Sequence, residues 1–261
     1  MRKTVILAIA AAIVMFAAPS ADAQGWGNLK GKFVFEGTAP EAQKLVINKD
    51  VQVCGNHGLV DESLLVDKNG GIANVVVALY LKPGAKGPAV HESYKDSAKS
   101  DVVLDNHNCR FSPHVTILRT SQPLIVKNSD SVGHNTKADL LKNKPFNDLI
   151  PAGGSLTKSL TSEEILPMQV SCSIHPWMRG YLVVRDDPYM VVSAEDGTFE
   201  IKNIPAGKHT FRAWQESAGY VQKVKLNGKA TDWAKGRFDV EIKNGADVDL
   251  GEIKIPAASF K

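Results

Sequence analysis

The arrangement of apolar residues constrains the fold of this chain more than any other feature. They recur in short alternating or continuous runs, and helical periodicity is scarce. Dipeptides that favour tight turns, such as Asn69-Gly70, Asp196-Gly197 and Asn227-Gly228, separate the runs. The sequence therefore predicts an all-β protein of the sandwich type, with short helical stretches only around residues 92–98 and 137–141.

The charge balance excludes one large class of partner. The 261 residues include 31 basic and 28 acidic side chains, so the formal net charge is only +3. Proteins that bind nucleic acids through the phosphate backbone normally carry a strong basic excess. We therefore expect no nucleic-acid partner.

The first residues are typical of a signal peptide. Arg2 and Lys3 precede an apolar run over residues 5–18, and Ala21-Asp22-Ala23 is a small-x-small cleavage site. A membrane anchor is the alternative, but this run is shorter than the roughly 20 residues that a spanning helix needs. The sequence predicts cleavage after Ala23, export to the periplasm, and a mature chain without a membrane span.

An exported chain with an odd number of cysteines leaves one thiol unpaired. The cysteines are Cys54, Cys109 and Cys172. In an oxidising compartment the remaining thiol either forms a disulfide with another chain or is kept reduced because the protein uses it.

The residues around Cys172 indicate a metal site. In Cys172-Ser173-Ile174-His175-Pro176-Trp177-Met178, a thiolate, an imidazole and a thioether lie within one short loop. Soft sulfur donors favour copper, and a thiolate with two imidazoles and an axial thioether is the ligand set of blue copper. His134, which follows the predicted strand at residues 124–127, can supply the second imidazole. The alternative is a buried structural Cys172 with Met178 as part of the core.

The segment from Phe111 to Asn135, taken together with the loop from Cys172 to Met178, resembles the cupredoxins. The first segment is similar to plastocyanin, and the tight Cys-x-x-His-x-x-Met loop is similar to amicyanin. The resemblance covers residues 102–185. It implies a Greek-key sandwich that holds one type 1 copper ion. The ligands it implies are His134, Cys172, His175 and Met178.

The same resemblance implies roles for residues beside the ligands. Asn135 would tie the two ligand loops together and donate hydrogen bonds near the thiolate. Independently of the resemblance, the position of His175 next to Pro176 and Trp177 makes the edge of its ring the expected electron port. Pro176 and Trp177 would form part of an apolar docking patch, although Trp177 is equally consistent with a core aromatic residue.

With Cys172 assigned to the metal, Cys54 and Cys109 are the natural pair for a disulfide. The alternative is a second metal site that draws on Cys54, His57, His107 and Cys109, with His114 as a further candidate. Two thiolates with histidine would suit zinc or Cu(I).

The flanking sequence resembles a second β-sandwich family. The stretch from Asp196 to Phe211 is similar to the carboxypeptidase regulatory-like (transthyretin-related) domain, and matching strands lie upstream near residues 29–37 and 71–81. The resemblance implies a discontinuous domain of residues 24–101 and 186–261, into which the cupredoxin is inserted. Three consecutive units are the simpler alternative.

These features favour an electron carrier over an enzyme. One copper ion with no second metal and no substrate base would transfer single electrons to or from a periplasmic redox protein, such as a cytochrome or a dehydrogenase. Copper storage or delivery through the same ligands is one alternative. A non-redox binding module of the cell envelope is the other.

Overall fold

The computed structural model describes residues 24–261, and the predicted signal peptide, residues 1–23, lies outside them. β-Strands make up most of the regular structure, and the helices are single turns. The predicted all-β class is confirmed. Within the described residues, no helix is long and apolar enough to span a membrane.

The strands fall into three groups along the chain. The first are β1 (Trp26–Glu36) and β2 (Val76–Leu79). The next, all within residues 102–185, are β3 (Val102–His107), β4 (Arg110–Ser112), β5 (Val115–Arg119), β6 (Pro123–Asn128), β7 (His134–Ala138), β8 (Phe146–Ile150), β9 (Ser155–Ser159), β10 (Met168–Ser171) and β11 (Arg179–Arg185). The last are β12 (Met190–Val192), β13 (Thr198–Pro205), β14 (Gly207–Gln215), β15 (Gly219–Tyr220), β16 (Lys223–Leu226), β17 (Lys229–Asp232), β18 (Arg237–Ile242) and β19 (Asp247–Pro256).

The strand pairing divides the chain into a central and a flanking part. Two sheets, in the orders β5-β11-β10-β7-β8 and β4-β3-β6-β9, contain only strands of residues 102–185. The other two, β13-β1-β19-β16-β17 and β12-β2-β14-β15 with β18 beside β14, combine strands from both sides of that region. This pairing is what we expect if the central part is inserted into the flanking part, because the flanking sheets must then combine strands that precede and follow the insertion.

Each part has its own apolar core. The flanking strands bury a cluster that includes Phe33, Tyr189 and Phe211, and the central strands bury one that includes Leu104, Phe111 and Leu182. A smaller cluster lies where the two parts meet, with Val76 of β2, Val115 of β5 and Val183 of β11. Apolar contact therefore joins the central sandwich to the flanking one.

The helices are α1 (Val51–Cys54) and the 3₁₀ turns Gly55–His57, Glu92–Tyr94, Asp96–Lys99, Ala234–Gly236 and Ala257–Ser259. The turns near residues 92–98 agree with the sequence prediction. The predicted helix at residues 137–141 is wrong, because β7 continues to Ala138. Strand β7 pairs with β8 and β10, so neighbouring strands satisfy its backbone where the local sequence favours a turn of helix.

A buried histidine joins three parts of the chain at this boundary. His114, between β4 and β5, lies with its Nε2 2.7 Å from Glu216 Oε2 and its Nδ1 3.6 Å from Glu62 Oε2. The second distance is a charge contact and too long for a hydrogen bond. Burial alone would lower the pKa of His114, but the two carboxylates outweigh burial and raise it to about 9.

This raised pKa predicts that stability falls in mild alkali. The folded protein binds the His114 proton more tightly than the unfolded chain, so the stabilisation is complete below about pH 6.5 and is lost as pH rises to about 9. The expected loss is about 2–3 kcal/mol, measured by urea unfolding at pH 6 and pH 9.5. His114→Gln should flatten the pH dependence in this window. An unchanged slope in that variant would assign the effect to another group.

Candidate metal centre

Antiparallel pairing of β7 with β10 brings the predicted ligand loops together. Ser171 of β10 lies opposite Lys137 of β7, so the end of β10 reaches the start of β7. His134 is the first residue of β7, and Cys172 directly follows β10. Residues far apart in the sequence thus meet at one end of the central sandwich.

Three of the four predicted ligands converge on one point. One ligand atom from each of His134, Cys172 and His175 lies within 4.8 Å of the other two, and all three residues are buried. Met178, which directly precedes β11, is also buried and belongs to the same core cluster as Cys172. The backbone N–H of Cys172 donates to the carbonyl oxygen of Met178 at 3.3 Å, which closes the loop.

The His134 ring presents an unpartnered nitrogen. Its Nε2 lies 2.8 Å from Asp130 Oδ2, while its buried Nδ1 has no hydrogen-bond partner. Burial lowers the pKa of His134, although the Asp130 carboxylate opposes the shift. A neutral ring that donates from Nε2 leaves the Nδ1 lone pair free, as a metal ligand requires.

The His175 ring is oriented in the same way by a residue from outside residues 102–185. Its Nε2 lies 2.7 Å from Asp50 Oδ2, and its Nδ1 lies 3.8 Å from Cys172 Sγ. Asp50 directly precedes α1 and has a φ of 46°, in the left-handed region. His175 is fully buried, so the ring edge that the sequence suggested as the electron port does not reach the surface.

Asn135 joins the two ligand loops, as the resemblance implied. Its side-chain oxygen accepts hydrogen bonds from the backbone N–H groups of Ser173 and Ile174, at 2.7 and 3.2 Å. Its amide nitrogen donates to Asn147, so the implied donation near the thiolate is wrong. The backbone N–H of His175 donates to Cys172 Sγ instead, at 3.4 Å.

A tight hairpin places the disulfide next to the site. Asn108 and Cys109, between β3 and β4, have φ angles of 55° and 53°, as a two-residue type I′ turn requires. Their backbone N–H groups donate to the two Asp130 oxygens at 2.7 and 2.8 Å. Asp130 thereby links this turn to His134.

Cys54 and Cys109 form a disulfide, which is the predicted pairing. The alternative of a second metal site at these cysteines is therefore wrong, and His57 and His107 are exposed. Cys172 is the free thiol of the described residues. The disulfide also holds α1, and with it Asp50, against the metal centre.

Trp177 packs against the His175 ring, with the ring centroids 5.1 Å apart. Its Nε1 donates to the carbonyl oxygen of Cys109 at 3.1 Å. Trp177 is half-buried and Pro176 is exposed. Trp177 is thus part core and part surface, between the two interpretations that the sequence allowed.

The donor set fits copper. A thiolate and two imidazole nitrogens, buried beside a thioether, are the soft and borderline donors that copper prefers, and zinc sites seldom include methionine. The unpartnered His134 Nδ1 is the observation that points to a ligand, because a buried polar atom normally has a hydrogen-bond partner.

Sequence comparisons and structural comparisons give different results. No protein-family model matches the sequence, and no curated protein matches it. Among solved structures, a purple cupredoxin from Nitrosopumilus maritimus is 23% identical with a TM-score of 0.27, covering 33% of this chain and 99% of that one. The Cu(I) form of an amicyanin variant is 16% identical with a TM-score of 0.29, covering 42% of this chain and 98% of that one.

The copper-containing nitrite reductase NirK from Thermus scotoductus is 19% identical with a TM-score of 0.30. The match covers 41% of this chain and only 25% of the reductase. These structural neighbours are cupredoxins or contain copper, but TM-scores this low carry no conclusion about the metal of this chain. The resemblance of the flanking sequence to the carboxypeptidase regulatory-like family stays a prediction.

Sequence reasoning missed Asp50 and Asp130, the carboxylates that pair with the rings of His175 and His134. Asp130 lies four residues before His134, a spacing that could have been noticed, whereas Asp50 lies 125 residues from His175 with no local signal.

We expect Asp50→Ala to weaken copper binding about 10- to 100-fold, because the His175 ring loses the group that fixes its orientation. Competition with a copper chelator measures this affinity. Asp139→Ala is the matched control, since Asp139 is exposed and paired only with Lys137. Equal affinity in the two variants would contradict an orienting role for Asp50.

Proposed function

We propose that this protein binds one copper ion, which His134, Cys172, His175 and Met178 would hold, and that it carries single electrons. The observation that supports this most directly is the buried convergence of two imidazoles and one thiol within 4.8 Å. A copper ion bound there would supply a one-electron couple.

The contacts around the ligands support rapid electron transfer. Asp130, Asp50 and Asn135 each hold a ligand ring or a ligand loop through hydrogen bonds of 2.7–2.8 Å. Side chains held in this way keep one arrangement in both oxidation states, so little movement accompanies a change of charge. Burial of every ligand also disfavours release, which favours a carrier over a delivery protein.

The proposed setting is the periplasm, after removal of residues 1–23. The partner we propose is a redox protein such as a cytochrome or a dehydrogenase, with the protein acting as a carrier and not as an enzyme. We also propose that residues 102–185 are a cupredoxin inserted into a discontinuous sandwich of residues 24–101 and 186–261. The sheet pairing supports this division.

Titration of the copper-free protein with Cu(II) tests the proposal. We expect one equivalent to bind and to produce an intense visible band from the copper–thiolate pair. A reduced c-type cytochrome should bleach the band, and oxidation should restore it. Binding of several equivalents without the band would favour storage. No binding at micromolar copper would reject the metal site.

A further inference from the structure

A cavity of about 240 Å³ lies beside the metal centre, and the copper site does not account for it. Most of its walls come from residues 57–63, 108–110 and 176–179, and Leu45, His114 and Glu216 complete them. Such a volume is slightly below the roughly 300–1,000 Å³ of typical ligand pockets, so it suits a molecule the size of one ring.

Trp177 connects this cavity to the metal-binding imidazole. The Nε2 edge of His175 is closed by Asp50, and the ring is fully buried. Trp177 packs against the His175 ring, and it also lines the cavity. A molecule that contacts Trp177 in the cavity would thus be linked to His175 through this one aromatic side chain.

The charges that line the cavity balance. The carboxylates of Asp61, Glu62 and Glu216 are offset by Arg110, Arg179 and the protonated His114. A charged ligand would therefore gain little net attraction. A carboxylate accepts several hydrogen bonds, so Glu62 and Glu216 can accept more from a ligand hydroxyl while paired with their cations.

Two further observations indicate a polar and aromatic ligand. His114 is more than nine-tenths buried, and its Nδ1 has no hydrogen-bond partner. Trp177 adds an aromatic surface, and Leu45 and Leu59 add apolar ones. Pockets with a few polar groups among apolar walls usually bind small organic molecules.

From these contacts we infer that the cavity beside Trp177 binds a small, uncharged, hydroxylated aromatic molecule of the hydroquinone class. The ring packs on Trp177, and its hydroxyl groups donate to Glu62 and Glu216. This site needs no metal. If the proposed function holds, the bound molecule lies where a small redox partner would exchange electrons with the copper ion. Only this consequence rests on the proposed function, and binding in the cavity does not.

The test uses the copper-free, full mature chain with hydroquinone as the probe. Amide chemical-shift mapping should show saturable changes at residues 57–63 and 108–110, with a Kd on the order of 1 mM or tighter. The saturated analogue cyclohexanediol should bind at least about 10-fold more weakly, because it lacks the aromatic face. Benzoate should also bind more weakly, because it is charged.

Variants locate the site. Trp177→Leu should weaken hydroquinone binding at least about 10-fold, and Glu62→Gln should weaken it less. Trp26→Leu is the matched control, because Trp26 packs on His91 and does not line the cavity. The amide spectrum of each variant reports whether it is folded, and the wild-type shift map decides the matter if Trp177→Leu does not fold.

No saturable shift at the cavity, or equal binding of hydroquinone and cyclohexanediol, would overturn this inference and leave the copper proposal intact. Hydroquinone binding in a protein that fails to bind Cu(II) would support the cavity site and reject the copper proposal. The two failures are thus distinguishable.

Discussion

Cys172→Ser is expected to abolish the intense visible band and to weaken copper binding by at least about 1,000-fold, or roughly 4 kcal/mol. The thiolate is the softest donor of the proposed set and the source of the band. Serine keeps the approximate shape of the side chain, and Cys172 is buried at the end of β10, so the fold should survive. A Cu(II) titration followed by absorption and by chelator competition measures both effects.

Ser173→Ala is the matched control for this substitution, because Ser173 is the exposed neighbour in the same loop. It contacts Asn135 through its backbone N–H, which the substitution retains. A Cys172→Ser variant that kept both the band and the affinity would place the copper–thiolate bond elsewhere.

The double variant Cys54→Ser/Cys109→Ser should lose about 4 kcal/mol of stability, because the disulfide closes a loop across a sequence separation of 55. For a chain of this size the loss corresponds to a fall in Tm of about 8–15 °C. Thermal unfolding of the copper-free proteins at one pH measures it. Replacing both cysteines avoids an unpaired buried thiol.

The disulfide variant should also bind copper more weakly than the wild type. The backbone N–H of Cys54 donates to the carbonyl oxygen of Asp50, and Asp50 orients His175, so release of α1 from Cys109 frees that carboxylate. Thermal unfolding of the copper-free wild type with and without dithiothreitol is the control for loss of the covalent bond alone. A fall in Tm below about 2 °C would mean that apolar packing, and not the disulfide, holds this segment.

The proposed ligands could be predicted from the sequence because most of them lie close together along the chain. Cys172, His175 and Met178 lie in one loop between two strands, and loop spacing survives folding. His134 needed one further step, the assumption that neighbouring strands bring their ends together, and the pairing of β7 with β10 does so.

The residues that surround the ligands could not be predicted from the sequence. The sequence suggested the His175 edge as an electron port and gave no sign that Asp50, 125 residues away, pairs with this ring. His114 likewise meets Glu62, which precedes it in the sequence, and Glu216, which follows it by 102 residues. No local pattern encodes such contacts, because they depend on how the two sandwiches pack.

The sequence by itself determined the all-β class. It also predicted the pairing of Cys54 with Cys109, against the alternative of a second metal site, and the group of His134, Cys172 and His175 that the structure brings together. Periodicity, turn chemistry and donor type are properties of short segments, so they can be read along the chain. Only the tertiary structure decided which face of each histidine is covered, that His175 is buried, and that Trp177 borders a cavity. Those outcomes arise from contacts between distant segments, whose free energy depends on the packed arrangement and not on local sequence.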